Sequence, residues 1–448
     1  MHLLLTHGYF LDEDPKERQI MKPYPPMGIL YLSSHLREKG FEVEIYDSTF
    51  GSSEELFGKL RQGPPGVLGI YGNLMTRGNV LALAKAGREA GWLVMLGGPE
   101  PSNYAAEYLD AGADLIVAGE AELAVERLMQ TEFARACWSA IPGLLYRGAD
   151  GALCSSGAAE MLHDLDAQPW PDRERIDLSK YLEAWRSHHG MSSVSVITAR
   201  GCPYRCNWCS HSVYGHTHRR RSPRAVVDEI RWLVDRYRPD MLWIADDVFT
   251  IHHGWLAEYA EEMKRAGIRL PFECITRADR LNEKAADLLA ELGCMRVWIG
   301  SESGSQRILD AMQRGVTIAQ VRNAVGLAKA RAIATGMFLM WGYEGEELAD
   351  VEATIEHVKA CRPDVFFTTV SYPIKGTPYF EKAAQRLVTL GPWQQSTDRE
   401  ISVKGRHSRT FYRHADDLLR AEMARERDPQ KIRMVREELA ATLHEVEA

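Results

Sequence analysis

Three cysteines, Cys202, Cys206 and Cys209, stand at C-x3-C-x2-C spacing inside the run Arg200-Gly201-Cys202-Pro203-Tyr204-Arg205-Cys206-Asn207-Trp208-Cys209. This spacing gathers three thiolates on one tight loop, with no fourth cysteine nearby. A [4Fe–4S] cluster normally takes four cysteine ligands, so three local ones leave one iron open to a ligand that is not protein. Structural zinc is the competing reading. It wants four closed ligands supplied as cysteine or histidine pairs, and His211, His216 and His218 follow the loop without the usual pair spacing. The remaining cysteines, Cys137, Cys154, Cys274, Cys294 and Cys361, are scattered singly, as small buried hydrophobes are.

The elements that position this loop follow from the hydrophobic pattern. From Val194 to about Tyr372 strand and helix signals alternate, which predicts a partial (β/α) barrel. Ser195 to Ile197 leads straight into the cysteine loop and so places it at a strand's carboxyl end, where barrel active sites gather. Met241 to Ile244 delivers Asp246 and Asp247 to the same end, Phe272 to Thr276 delivers Arg277, and Val297 to Ser301 delivers Glu302. Each carboxylate there could instead cap a helix.

An earlier alternation spans residues 1–135 and predicts a Rossmann-like domain. Its strands are Leu3 to Thr6, Glu42 to Tyr46, Val67 to Tyr71, Leu93 to Leu96 and Leu115 to Val117. Ligands of such sheets sit at the carboxyl ends of the strands. The loops of interest are therefore those around Tyr9, Gly72-Asn73-Leu74, Gly97-Gly98-Pro99-Glu100 and Gly119-Glu120. No G-x-G-x-x-G follows the first strand, which argues against a dinucleotide.

Residues 136–190 read as a linker, with a hairpin around Gly148 to Gly151 and a proline-punctuated connector at Gln168 to Asp172. Residues 191–390 then form the barrel, and 391–448 a C-terminal helical cap with helices expected at Asp416 to Arg427 and Pro429 to Val446. The run His216-Thr217-His218-Arg219-Arg220-Arg221 reads either as a phosphate patch or, more simply, as a solvated turn before a helix.

With 54 basic against 62 acidic residues, the net charge of -8 does not favour nucleic acid as a partner. No apolar stretch approaches the twenty or so residues of a membrane span, and the N-terminal residues lack the charged start of a signal peptide. Unpaired cysteines suit a reducing compartment. The expected location is the cytoplasm.

The cysteine run resembles the cluster loop of radical S-adenosylmethionine (SAM) enzymes. Pro25 to Leu32, Leu96 to Pro101 and Val117 to Glu122 resemble the cobalamin-binding domain that precedes the barrel in one large subfamily. Ala245 to Thr250, Thr276 to Asp279, Gly300 to Ser305, Gly342 to Glu346 and Tyr372 to Pro378 resemble the same class, which includes the anaerobic magnesium-protoporphyrin ester cyclase. The resemblance implies a [4Fe–4S] cluster on Cys202, Cys206 and Cys209, with SAM on its fourth iron. It puts Trp208 and Gly342 near the adenine, Asp246 and Asp247 near the methionyl amine, and Arg277 and Glu302 near carboxylate or ribose. It also implies cobalamin beside Tyr9, Met27, Gly72, Asn73, Leu74, Gly97, Gly98, Pro99, Glu100, Gly119 and Glu120. The D-x-H-x-x-G motif that supplies an axial histidine in other cobalamin proteins is absent, as it is from many members of this subfamily. A degenerate domain holding no corrinoid is the alternative.

The activity so implied is methylation of an unactivated carbon of a small molecule, through a 5′-deoxyadenosyl radical and methylcobalamin. An electron donor such as flavodoxin or ferredoxin would be its partner. An oxidative or ring-forming reaction without methyl transfer is the runner-up, and a non-catalytic corrinoid or redox sensor a third reading. A methylthiotransferase would need further cluster cysteines, yet only Cys137 and Cys154 precede Cys202.

Overall fold

The segment Leu3–His7 is buried at every position, as a strand covered by helices on both faces must be. It forms β1, which lies between β2 (Val43–Ile45) and β3 (Val67–Tyr71) in a parallel sheet continued by β4 (Leu93–Gly97) and β5 (Leu115–Val117), in the order β2-β1-β3-β4-β5. The expected hairpin is present as β6 (Leu144–Arg147) and β7 (Leu153–Ser155), which continue the sheet antiparallel beyond β5. Connecting helices are α1 (Pro15–Ile20), α2 (Met27–Glu38), α3 (Ser53–Gln62), α4 (Arg77–Glu89), α5 (Ala105–Asp110) and α6 (Glu122–Gln130). α2 and α6 bury one face of the sheet through Ile29, Leu32, Leu36, Val125 and Leu128. α3, α4 and α5 bury the other through Leu56, Leu60, Val80, Leu83 and Tyr108. The strand order reverses between β1 and β3, so a crevice for ligand opens at their carboxyl ends.

The computed structural model describes residues 2–447, and contacts divide the chain into two units. The first unit takes in the sheet just described, residues up to Pro203, Ser210–Met241 and Trp393–Thr397. It includes α7 (Leu178–His189), β8 (Ser193–Val196), the short antiparallel pair β9 (Ala199–Arg200) and β10 (Arg219–Arg220), and α8 (Pro223–Tyr237). The ladder of β9 and β10 closes the base of the excursion that carries the cysteines. Gly201 permits this closure: its φ is +83°, and a Cβ there would lie 2.5 Å from the Thr217 carbonyl oxygen.

The second unit holds Tyr204–Cys209, Leu242–Pro392 and the residues from Asp398 onward. Five neighbouring parallel strands build it: β11 (Met241–Ile244), β12 (Phe272–Thr276), β13 (Cys294–Glu302), β14 (Ala334–Trp341) and β15 (Val365–Val370). Helices α9 (His253–Arg265), α10 (Glu283–Glu291), α11 (Gln306–Ala311), α12 (Ile318–Lys329) and α13 (Leu348–Cys361) follow these strands in alternation, and α14 (Pro378–Ala383) comes after β15. Of the terminal helices, α15 (Arg409–Met423) starts and stops earlier than the periodicity predicts, while α16 (Pro429–Ala441) starts at the expected Pro429 and stops earlier. The Ser408 hydroxyl fixes the first start by accepting from the Phe411 amide at 3.1 Å. α15 packs on α13, β15 and α16. Among the described residues no helix is long and apolar enough to cross a membrane.

The basic run before α8 is neither a phosphate patch nor a solvated turn. Arg219 bonds Glu120 and the Leu162 carbonyl, Arg220 bonds the Thr198 hydroxyl, and Arg221 shares the fully buried Glu229 with Arg173. Burial works against ionisation of Glu229, and the two guanidiniums outweigh it, holding the carboxyl below its usual range. These arginines pin the chain on either side of the cysteine loop.

Candidate active site

In the second unit the cysteine loop is held by its main chain. The Asn207 amide donates to the Met312 carbonyl at 3.1 Å, and the Asn207 carbonyl accepts from the Tyr379 amide at 3.0 Å. Between these anchors the Cys206 sulfur faces two guanidiniums, Arg277 Nη1 at 3.9 Å and Arg314 Nη1 at 3.8 Å. Arg277 is itself fixed: it stacks on the Tyr204 ring at 3.6 Å, donates to Asp279 at 2.9 Å and to the Arg314 carbonyl at 2.9 Å. Arg314 donates to the Gly300 carbonyl at 3.0 Å and pairs with Glu302 at 3.7 Å. Two buried cations aimed at one sulfur favour an anionic group bound there.

Glu302 closes β13 in a conformation that costs energy. Its φ is +61°, rare outside glycine, and the register with β14 breaks between Gly300 and Glu302. Burial raises its carboxyl, which Arg314 and Arg277 offset only in part. A mostly buried acid in strained backbone, beside two anchored cations, is the kind of group that a ligand site keeps. Along the same rim, Asp246 is 2 % exposed at the end of β11. Asp247 is open at its surface yet ringed by protein, and that surrounding bulk, with the charge of Asp246, raises its carboxyl.

Gly342 ends β14 at φ +72°, with Tyr412 2.9 Å from where a Cβ would stand. Its amide donates to Glu346 Oε2 at 2.5 Å. The other oxygen, Glu346 Oε1, is buried with no hydrogen-bond partner among the described residues. Trp208 packs into the apolar cluster of Ile308, Leu309, Met312, Met340 and Tyr343, so the aromatic beside the cysteines and the Gly342 turn share one support. In the adjoining Tyr343-Glu344 pair, Tyr343 fills that cluster and Glu344 pairs with Lys382 at 2.9 Å and with Arg386.

Burial pushes the Glu346 carboxyl up to about 8, with Asp350 adding to the rise. The sign follows from linkage: the folded chain keeps a proton there that the unfolded chain releases near pH 4.5, so this contribution is full below that pH and is lost as pH climbs to about 8. Glu346→Gln keeps the acceptor for Gly342 without the charge. The variant is expected to be more stable than the parent at pH 8.5, by on the order of 2 kcal/mol, and to lose much of the alkaline decline. Thermal unfolding of both proteins from pH 5 to 9 checks this.

In the first unit the glycine turns at the carboxyl ends of β3 and β4 meet main chain to main chain. The Gly72 amide donates to the Gly97 carbonyl at 2.8 Å. Gly98, at φ +104°, passes so close that a Cβ would lie 2.3 Å from the Gly72 oxygen, whereas a Cβ on Gly97 would meet nothing nearer than 3.8 Å. This bare stretch of backbone is a cradle for a bulky ligand. Asn73 shapes its turn by accepting from the Met75 and Thr76 amides at 2.9 and 3.1 Å. Leu74, Pro99, Gly119, Met27 and Tyr9 are partly exposed around these loops, and the Tyr9 hydroxyl donates to Glu17 at 3.1 Å. Two of the acids expected at the ligand are committed elsewhere: Glu100 to Arg77 at 2.6 Å and Tyr108 at 2.8 Å, and Glu120 to Arg200 at 3.0 Å and Arg219. They hold the turns and leave backbone to face the crevice.

Residues 196–358 match the radical SAM superfamily and residues 19–129 the B12 binding domain. The chain is a cobalamin-binding radical SAM protein. It is 28% identical over 396 residues to an uncharacterized methyltransferase of Pyrococcus horikoshii, covering 86% of this chain and 84% of the relative. It is 27% identical to the anaerobic magnesium-protoporphyrin IX monomethyl ester cyclase of Rubrivivax gelatinosus, over 78% of this chain and 64% of the cyclase. In fold it is similar to the radical SAM methyltransferase TsrM of Kitasatospora setae, solved with cobalamin and a [4Fe–4S] cluster bound, at a TM-score of 0.72 and 20% identity over 86% of this chain and 74% of TsrM.

The cofactors of this radical SAM family are a [4Fe–4S] cluster, SAM and cobalamin, and the residues present fit them. No disulfide joins the cysteines among the described residues. The cationic surround of Cys206 suits an anionic cluster, and the glycine cradle suits a corrinoid that needs close approach to backbone. An axial histidine is not supplied by the one at the end of β1. His7 has both ring nitrogens engaged, Nε2 with Asp47 at 3.0 Å and Nδ1 with Ser48 at 3.1 Å and the Tyr9 amide at 3.2 Å. Of the radical SAM site residues expected from sequence, the structure gathers Cys206, Arg277 and Glu302 into one contact set, and sets Asp246, Asp247 and Gly342 at neighbouring strand ends. Arg314, at the centre of that set, was missed. It follows α11 in a Gln313-Arg314-Gly315 turn, where an arginine carries no local signal of function.

Proposed function

We propose that this chain transfers a methyl group to an unactivated carbon of a small-molecule substrate. One observation carries the reading: a B12 binding domain and a radical SAM domain lie on the same chain, and relatives named as methyltransferases or methylases align over 86% and 81% of its length. When bound, the cluster and SAM supply the hydrogen-abstracting radical, and cobalamin carries the methyl group.

The protein's own part is to bind, orient and exclude water. Cys202, Cys206 and Cys209 hold the cluster, and Arg277 and Arg314 balance its charge at Cys206. Asp246, Asp247, Arg277 and Glu302 offer the amine, carboxylate and ribose of SAM a matched set of charges, while Trp208 and Gly342 border its adenine. Tyr9, Met27 and the turns at Gly72 to Leu74, Gly97 to Glu100 and Gly119 to Glu120 receive the corrinoid. Residues 1–135 serve as the cobalamin half, 136–190 as linker, 191–390 as the barrel and 391–448 as its helical flank. A low-potential flavodoxin or ferredoxin supplies the electron, and cysteines outside any disulfide suit work in the cytoplasm.

The similarity to the ester cyclase supports a second reading, a ring-forming oxidation without methyl transfer. One assay separates the two. Anaerobically reconstituted, cobalamin-loaded protein is incubated with SAM and reductant, and 5′-deoxyadenosine and S-adenosylhomocysteine are quantified. Methylation predicts both products. Deoxyadenosine alone favours the oxidative reading, and neither product, with SAM intact, favours a sensor.

A further inference from the structure

Residues Trp393–Thr397 follow the last strand of the second sheet in sequence, yet by contact they belong to the first unit. One fully buried arginine accounts for this. Arg77, at the start of α4 and 2 % exposed, lies between the Tyr104 ring at 4.7 Å and the Trp393 ring at 5.0 Å. Its Nη1 donates to the main-chain oxygens of Trp393 at 3.3 Å and Ser396 at 2.7 Å. Its Nε donates to Glu100 Oε1 at 2.6 Å, and the second oxygen of that carboxylate accepts from Tyr108 at 2.8 Å. Trp393 meets Tyr108 edge-on at 4.9 Å. The same arginine therefore grips a remote segment with one edge and, with the other, the acid that ends the Gly97-Gly98-Pro99-Glu100 turn.

We propose that Trp393–Thr397 is a strap that sets the Gly97–Glu100 turn for corrinoid binding, with Trp393 and Arg77 as positioning residues. The inference rests on the cobalamin reading of that turn. Its physical basis is the cost of leaving a buried guanidinium short of acceptors. The strap supplies two carbonyls and a ring face, and without them Arg77 must turn toward water and release Glu100. The turn would then lose the side-chain anchor at its Glu100 end. A further sign is the Trp393 indole nitrogen, which is buried with no hydrogen-bond partner among the described residues. An orphaned donor at this place is available to a ligand or its water.

The test is equilibrium binding of hydroxocobalamin to the full-length chain, followed by visible absorbance, with thermal unfolding recorded alongside. Trp393→Ala is expected to weaken binding about tenfold or more, from loss of the ring contacts and the cation–π face. Trp393→Phe, which keeps a ring, is expected to stay within about threefold of wild type. Should Trp393→Ala fail to unfold cooperatively, Trp393→Leu carries the test, since it keeps apolar bulk and removes the π face. Tight binding by wild type together with equally tight binding by the alanine or leucine variant overturns the strap and leaves the cobalamin reading standing. Absence of binding by wild type overturns that reading and the strap with it.

Discussion

Cys206→Ala is expected to leave the polypeptide folded while abolishing SAM cleavage. The loop around this residue is not held by its sulfur. Main-chain bonds between Asn207 and both Met312 and Tyr379 fix it, and Trp208, partly buried, packs against the cluster around Tyr343. Removing Sγ takes away one of the three thiolates that a three-cysteine cluster site can offer, and leaves Arg277 and Arg314 aimed at a methyl group. Iron per chain after anaerobic reconstitution should fall well below that of the parent, and 5′-deoxyadenosine formation should drop by on the order of a thousandfold or more, more than 4 kcal/mol of lost barrier reduction. Thermal unfolding of the cluster-free proteins should be nearly unchanged, which separates loss of a ligand from loss of fold. A variant that holds full iron and cleaves SAM at the parent rate would refute the assignment of Cys206.

Much of the architecture was legible because its strands are buried on both faces and therefore read as apolar runs. Val67–Tyr71 and Leu115–Val117 have the bounds the sequence predicts, and Gly98 and Gly342 stand where positive φ is needed. What stayed hidden depends on partners remote in sequence. Glu100 and Glu120 look from their turns like ligand contacts, but Arg77, Arg200 and Arg219 claim their carboxylates. The three arginines at 219–221 look solvated because nothing local shows that Glu120 and Glu229 are waiting in the interior. The left-handed backbone of Glu302 is equally silent, since the alternating pattern of β13 gives no hint of the register break after Gly300. Trp393 carries the same lesson: its ring reads as an ordinary surface aromatic until Arg77, more than three hundred residues earlier, is brought beneath it.

Arg314→Met is expected to cut SAM cleavage by about a hundredfold, although no motif marks the residue. The argument lies in what its guanidinium touches. One nitrogen faces Cys206, one bonds the Gly300 carbonyl at the register break, and the third pairs with Glu302 at 3.7 Å. Burial already raises the Glu302 carboxyl with both arginines present. Methionine fills much of the same volume and removes the charge, so Glu302 loses a cation and takes up a proton more readily. Leaving a buried acid short of its partner costs about 3 kcal/mol, which sets the size of the effect. The cluster should feel the change as well. Withdrawing a positive charge from the sulfur of Cys206 disfavours the added electron, so the reduction potential should move to more negative values. Arg314→Lys should restore part of that potential but not the fork that joins Gly300 to Glu302, and should therefore recover less cleavage than charge alone would give. Redox titration followed by electron paramagnetic resonance, beside SAM cleavage rates for both variants, measures the two effects separately. A potential and a rate unchanged in Arg314→Met would show that Arg277 alone balances the site.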